Sequence, residues 1–264
     1  MKNRKRTAFN QENYIKEYKQ EKRIISFLRV LIFLLFITIW EALSYLNIID
    51  SFFFSSPSRI CILFISMCKN MEIFIHTGIT LYETIISFLI VNILSIATAI
   101  LMLSFTRFSK IIEPYLVILN SLPKSALAPL IIVWLGTGSK TIIVAGISVA
   151  IFGSIINLYT GFNQVDKEKL KLITTLGGNR KDQLLKVTIP SSIPIILSNM
   201  KVNIGLSLVG VVIGEFLAAR QGLGYLIIYG SQVFQLDLLI LSILILCIIA
   251  FLLYKILDMI EKRI

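Results

Sequence analysis

Charge, histidine and cysteine are scarce in this chain. Of its 264 residues 16% are charged, one is His and three are Cys. A single imidazole, His76, cannot assemble a histidine-based metal site, and Cys61, Cys68 and Cys247 follow no metal-ligand spacing, so they read as free thiols. No H-E-x-x-H, no G-x-S-x-G and no cluster of carboxylates occurs, which removes the common hydrolytic machineries. The segment "WLGTGSKT", residues 134–141, ends like a phosphate-binding loop. That pattern needs Gly directly before the Lys and a second Gly five residues earlier, where Ser139 and Trp134 stand. No metal, nucleotide or catalytic site is therefore expected in the chain. If ATP drives it, another chain binds the ATP.

Long apolar runs are abundant. Hydrophobic residues make up 56% of the sequence and mean hydropathy is +0.84, beyond what a soluble domain carries. Six runs approach or exceed the ~20 residues needed to cross the hydrocarbon layer: Ile24–Leu46, Thr77–Phe105, Ile111–Leu135, Thr141–Phe162, Ile193–Leu217 and Asp237–Ile260. The second is long enough to tilt or protrude. Continuous runs without ten-residue alternation point to an all-α membrane protein of six transmembrane helices rather than a barrel. A cleaved signal peptide is not expected, because the first run is too long for an h-region and no A-x-A site follows it.

Orientation follows from the basic residues. With the N-terminus inside, the inner segments 1–23, 104–110, 163–190 and 255–264 hold nineteen Lys and Arg, whereas the outer ones hold only Arg59, Lys69, Lys140 and Arg220. This asymmetry places both termini in the cytoplasm. The net charge of +11 then needs no nucleic-acid partner, since its cations lie where anionic lipid of the inner leaflet attracts them. Residues 1–23 read as a basic tail that anchors topology, and 24–264 as the membrane domain.

One polar segment interrupts the apolar pattern, the inner loop 163–190. Asp166 is suited to cap a helix that runs to the stop at Gly177-Gly178, and Asn179 to cap a second one with Asp182 at the third position of an imperfect capping box. Pro190 is expected to end that second helix at Ile189. Leu184 and Leu185 give it an apolar side, and Arg180, Lys181 and Lys186 a basic one. Such a unit either lies on the membrane surface or docks in a groove of a partner, and spacing leaves both open.

Gly177, nine residues, then Val187-Thr188-Ile189-Pro190 and a further Pro194 resemble the loop signature of the permease subunits of type I ATP-binding-cassette importers, in the nitrate, sulfonate, taurine and thiamine-precursor branch. "FFFSSPSRI", "LPKSALAPLIIVWLGTGSK" and "GEFLAARQGLGYLI" resemble other stretches of that family. The chain departs from it at Lys171-Leu172-Ile173, where the family usually has Glu-Ala-Ala. The resemblance implies a six-span permease without its own ATP site, in a bacterial inner membrane. Its implied partners are ATPase subunits that carry ATP and Mg²⁺, an extracytoplasmic substrate-binding protein and a second permease copy. Residues 179–189 become the coupling helix, with Gly177, Arg180, Leu184, Leu185, Lys186 and Pro190 as the ATPase-coupling residues.

Charges within spans are candidates for the translocation path. Lys124, after Pro123, suits an anionic cargo if it faces the path; the alternatives are that it pairs with a carboxylate such as Glu83 or Glu113, or belongs to the family's general Pro-or-basic pattern at this place. Glu215 matches an acidic family position that gates or positions the last outer loop, against a salt-bridged helix end. Gly210 and Gly214 form a G-x-x-x-G face for bundle packing or for a dimer contact. A six-span secondary transporter or channel, or a docking scaffold, is the rival reading, although no clear internal repeat supports a secondary carrier.

Overall fold

A computed structural model describes residues 2–46 and 48–263, with side chains from residue 18 onward apart from residue 51. The chain divides into two compact units, residues 1–63 and 64–264.

The first unit is built on α1, Lys2–Tyr45. Its stretch Tyr18–Tyr45 is long and apolar enough to span a membrane. Apolar side chains cover all its sides, from Ile24 and Phe27 to Phe33 and Phe36, as in a helix whose solvent is lipid. The anchor reading of the tail rests largely on side chains 1–17, which lie outside the described residues. A short helix α2, Ser51–Phe54, leads to α3, Pro57–Lys69. Pro57 opens α3 where a missing N–H costs nothing. The Glu41 carboxylate accepts the Ser58 N–H at 3.0 Å and its hydroxyl at 2.7 Å, which ties the start of α3 to α1.

The second unit continues with α4 (Glu72–Ser104), α5 (Thr106–Ser121), α6 (Lys124–Leu135) and α7 (Ser139–Asn163). Between the spans α7 and α11 lie α8 (Lys167–Thr175), α9 (Arg180–Gln183), a π-helical turn Leu184–Thr188 and α10 (Ile189–Ser191). Helices α11 (Ile193–Ala218), α12 (Leu223–Gln232) and α13 (Leu236–Glu261) complete it. At ~1.5 Å per residue the 33 residues of α4 reach about 50 Å, more than the ~30 Å of hydrocarbon.

Among the described residues five helices are long and apolar enough to span alone, and the third expected span differs: α5 and α6 meet at 98°. Pro123 confines the preceding residue to extended backbone, and Leu122 has φ −66°, ψ 140°. The α-helix therefore breaks at Leu122-Pro123 rather than kinking through it.

Helices α4, α7 and α11 form the core. A Cβ on Gly210 would lie 2.8 Å from Gly146 Cα, and one on Gly214 would lie 3.0 Å from Ile142 Cα. The G-x-x-x-G face is thus spent on packing α11 against α7 within the chain. Asn203 donates to Asn92 Oδ1 and Ser154 Oγ at 2.9 Å, and Asn199 donates to Ser154 at 2.8 Å, joining the three helices through buried amides. Lys201 on α11 pairs with Asp258 at 2.8 Å and with Glu261, bracing α13.

Candidate functional site

The loop between α7 and α11 is built almost entirely by local chemistry. The Asp166 carboxylate accepts the Glu168 N–H at 2.8 Å and starts α8. Gly177, at φ +82°, turns the chain where a side chain would be strained. Its N–H reaches Thr174 O at 3.0 Å and that of Gly178 reaches Ile173 O at 2.9 Å, a complete Schellman stop. Asn179 Oδ1 then accepts the N–H groups of Lys181 and Asp182, while Asp182 accepts the Asn179 N–H at 3.0 Å. The capping box is complete, although Asp is shorter than the usual Glu. Lys186, and then the Asn179 N–H, hold the Asp182 carboxyl below the usual carboxylate range.

The exit departs from expectation. Helical backbone continues through Pro190 to Ser191. Pro190 has no N–H to give and its ring crowds the preceding turn; the wide π-turn 184–188 lies immediately before it, with Ile189 N–H bonded to Leu184 O. Two side chains that sequence reasoning passed over brace the unit. Gln183 Nε2 reaches back to Leu170 O at 3.0 Å and Thr174 Oγ1 at 2.7 Å, and Thr106 on α5 accepts from Arg180 at 3.4 Å. Leu184 and Leu185 both border a cleft toward α4 and α7; Leu184 is half-buried, whereas Leu185 is 63% exposed, and Leu172 (58%) and Leu176 (75%) are exposed as well. Lys186 is exposed and paired with Asp182 at 2.8 Å. The result is a braced helix pair presenting apolar knobs with basic flanks.

At the opposite end of α11 lies a latch. Three successive amides at the start of α12 are received by side chains from other helices. The Gly222 N–H donates to His76 Nδ1 at 2.9 Å, Leu223 N–H to Thr80 Oγ1 at 2.8 Å, and Gly224 N–H to Glu215 at 2.5 Å. Thr80 in turn donates to Glu215 at 2.7 Å. A helix start normally uses its own cap; α12 takes its cap from α4 and α11. Glu215 is fully buried and makes no salt bridge among the described residues, so the ion-pair alternative fails. His76 is half-buried, its ring stacked on Tyr225 with centroids 6.2 Å apart. Single-sequence reasoning missed Thr80 and the role of His76; the only signal was their spacing of four on one helical face.

Lys124 stands at the α5–α6 break. Its ammonium group donates to Leu119 O at 2.5 Å and Asn120 O at 3.0 Å, and lies 5.2 Å from the Phe152 ring. It therefore satisfies the carbonyl end of α5 instead of pairing with Glu83 or Glu113. Glu83 is buried beside Glu215, and no hydrogen bond reaches its oxygens among the described residues. A second cleft, of about 490 Å³, opens between α7 and α11 among the uncharged polar groups Asn157, Gln164, Ser198 and Asn199. Cys61, Cys68 and Cys247 are free thiols.

Comparison with known proteins follows this geometry. Residues 91–264 match the family described as "Binding-protein-dependent transport system inner membrane component". An ABC transporter permease protein by name, from Haemophilus influenzae, is 30% identical over 226 residues, 85% of this chain and 91% of that one. A Bacillus subtilis chain named for aliphatic sulfonates transport is 26% identical over 86% of this chain and 82% of its own length. The formylaminopyrimidine transport permease protein ThiX of Halalkalibacterium halodurans is 27% identical over 74% of this chain and 77% of its own. Among solved structures, an inward-facing form of the MetNI methionine ABC transporter shares the fold with a TM-score of 0.62 at 16% identity, over 71% of this chain and 94% of that one. The chain belongs to the binding-protein-dependent transport system inner membrane components, the transmembrane permeases of type I ATP-binding-cassette importers, and is a transport subunit rather than an enzyme.

Proposed function

We propose that this permease forms the path for a small sulfonate-like anion or a pyrimidine thiamine precursor, released to it by an extracytoplasmic binding protein and driven by separate ATPase subunits. The names of the relatives support that substrate range. Both termini and loop 163–190 are cytoplasmic on this reading, as the nineteen inner cations require. Residues 24–264 act as the permease domain, two copies of which enclose the path.

The observation that carries the coupling assignment is the braced loop with its exposed Leu172, Leu176 and Leu185. An apolar, internally rigid projection suits a groove on a partner better than open water does. The short helix 179–189 seats in each ATPase, with Leu185, Arg180 and Lys186 in contact, Leu184 locking the helix to the bundle, and Gly177 and Pro190 setting its entry and exit. ATP and Mg²⁺ belong to the ATPase; this chain binds no cofactor. Lys124 borders the path at the broken span, and Glu215 shapes it by positioning the loop before α12.

The test is co-purification of the ATPase and substrate uptake with Arg180→Glu combined with Lys186→Glu. Loss of both, with the permease still inserted, is expected. Full ATPase recovery and normal uptake would reject the coupling helix.

A further inference from the structure

A cleft of about 650 Å³ lies between the coupling loop and the adjoining ends of α4 and α7. Leu103, Phe105 and Phe162 line its apolar wall, and Lys167, Arg180 and Lys181 its polar side. The cations are uncompensated. Lys167 and Lys181 have no ion-pair partner among the described residues, and Arg180 has only the 3.4 Å contact to a neutral hydroxyl. Of the loop's three carboxylates, Asp166 accepts the Glu168 N–H, Asp182 is held by Asn179 and Lys186, and Glu168 forms no ion pair among the described residues.

We infer that this cleft binds the headgroup of an anionic phospholipid. It opens beside the end of the 25-residue span Ser139–Asn163, a length that matches ~30 Å of hydrocarbon with about a turn to spare and so puts that end near the headgroup layer. A guanidinium and two ammonium groups suit a phosphodiester, with the guanidinium able to grip two oxygens. The apolar wall suits the first methylenes of an acyl chain, which a soluble phosphate cannot offer. A zwitterionic lipid would bring its own cation against three others. Placement in the inner leaflet rests on the reading that loop 163–190 is cytoplasmic. The bound lipid would hold the coupling loop against the bundle, so the loop and the bilayer become one mechanical unit.

The experiment uses the full chain in nanodiscs of phosphatidylcholine carrying a minor fraction of phosphatidylglycerol, with lipid retained through detergent extraction read by native mass spectrometry. Lys167→Gln with Lys181→Gln should lower the retained phosphatidylglycerol relative to phosphatidylcholine by about tenfold or more, since each near-surface cation contributes appreciably to anionic-lipid binding. Lys169→Gln with Lys171→Gln removes equal charge from the same loop outside the cleft and should leave the ratio within about twofold. Equal losses in both variants, or none in the first, would overturn the site. Displacement of the lipid by millimolar inorganic phosphate would assign the cleft to a soluble anion, and its expulsion by the bound ATPase would assign it to protein; either overturns the proposal. ATPase recovery is scored separately. Its failure with lipid selectivity intact condemns the coupling reading alone.

Discussion

Replacement of Thr80 by Val isolates the latch that starts α12. Thr80 is fully buried, and Val has the same shape, so packing is preserved while the hydroxyl goes. Two bonds are lost, the Leu223 N–H at 2.8 Å and the donation to Glu215 at 2.7 Å. The buried Leu223 amide is then an orphan donor, a cost of about 1–3 kcal/mol, and the upper range for measured interhelical bonds in membranes, ~1.7 kcal/mol, falls inside that window. At 1.4 kcal/mol per tenfold, local opening should become about 5- to 140-fold more frequent. Hydrogen-exchange mass spectrometry on a peptide covering 219–226 reads this directly. Thr80→Ser keeps the hydroxyl and deletes only a methyl group, so it should retain most of the protection. Unchanged exchange in Thr80→Val, or equal loss in Thr80→Ser, would refute the hydrogen-bond account and leave packing as the explanation.

Other perturbations have equally definite outcomes. Gly177→Ala, at φ +82°, should cost about 1–2 kcal/mol and raise the protease sensitivity of loop 163–190 without lowering membrane insertion. Gly210→Val places a branched side chain 2.8 Å from Gly146 Cα and 2.9 Å from Ala145 O; overpacking of about 1–3 kcal/mol should lower the detergent melting temperature. Gly205→Ala, with nothing within 4 Å of the added Cβ, should be neutral or slightly stabilising. Because the Asp182 carboxyl is held below the usual range, its contribution to the capping box is present above the unfolded carboxylate pKa and is lost only as pH falls through the lower folded one. Amide exchange at Asn179 should therefore stay slow below the pH at which free carboxylates titrate, and Asp182→Asn should abolish that pH step.

Features governed by near neighbours were legible before any coordinates. Asp166, Gly177-Gly178, Asn179 and Asp182 each bond to partners within five residues, so spacing predicts their caps and turns, and the π-turn before Pro190 escaped only because a proline can be accommodated as well as obeyed. The apolar runs similarly announced five spans and the elements of the sixth, since a bilayer demands length and hydrophobicity and little else. The break at Leu122-Pro123 was half visible, its 98° angle not at all.

Sequence alone determined the solvent, the helical class and the local architecture of loop 163–190, because these depend on composition and on interactions a few residues apart. Tertiary structure decided the partners of polar groups distant in the chain. Glu215 meets Thr80 across 135 positions, His76 meets Gly222 across 146, and Asn203 meets Asn92 across 111. In hydrocarbon a polar group must find a partner, but sequence does not state which one; that is settled only when Gly146, Gly210 and Gly214 let the helices approach closely enough for the groups to meet.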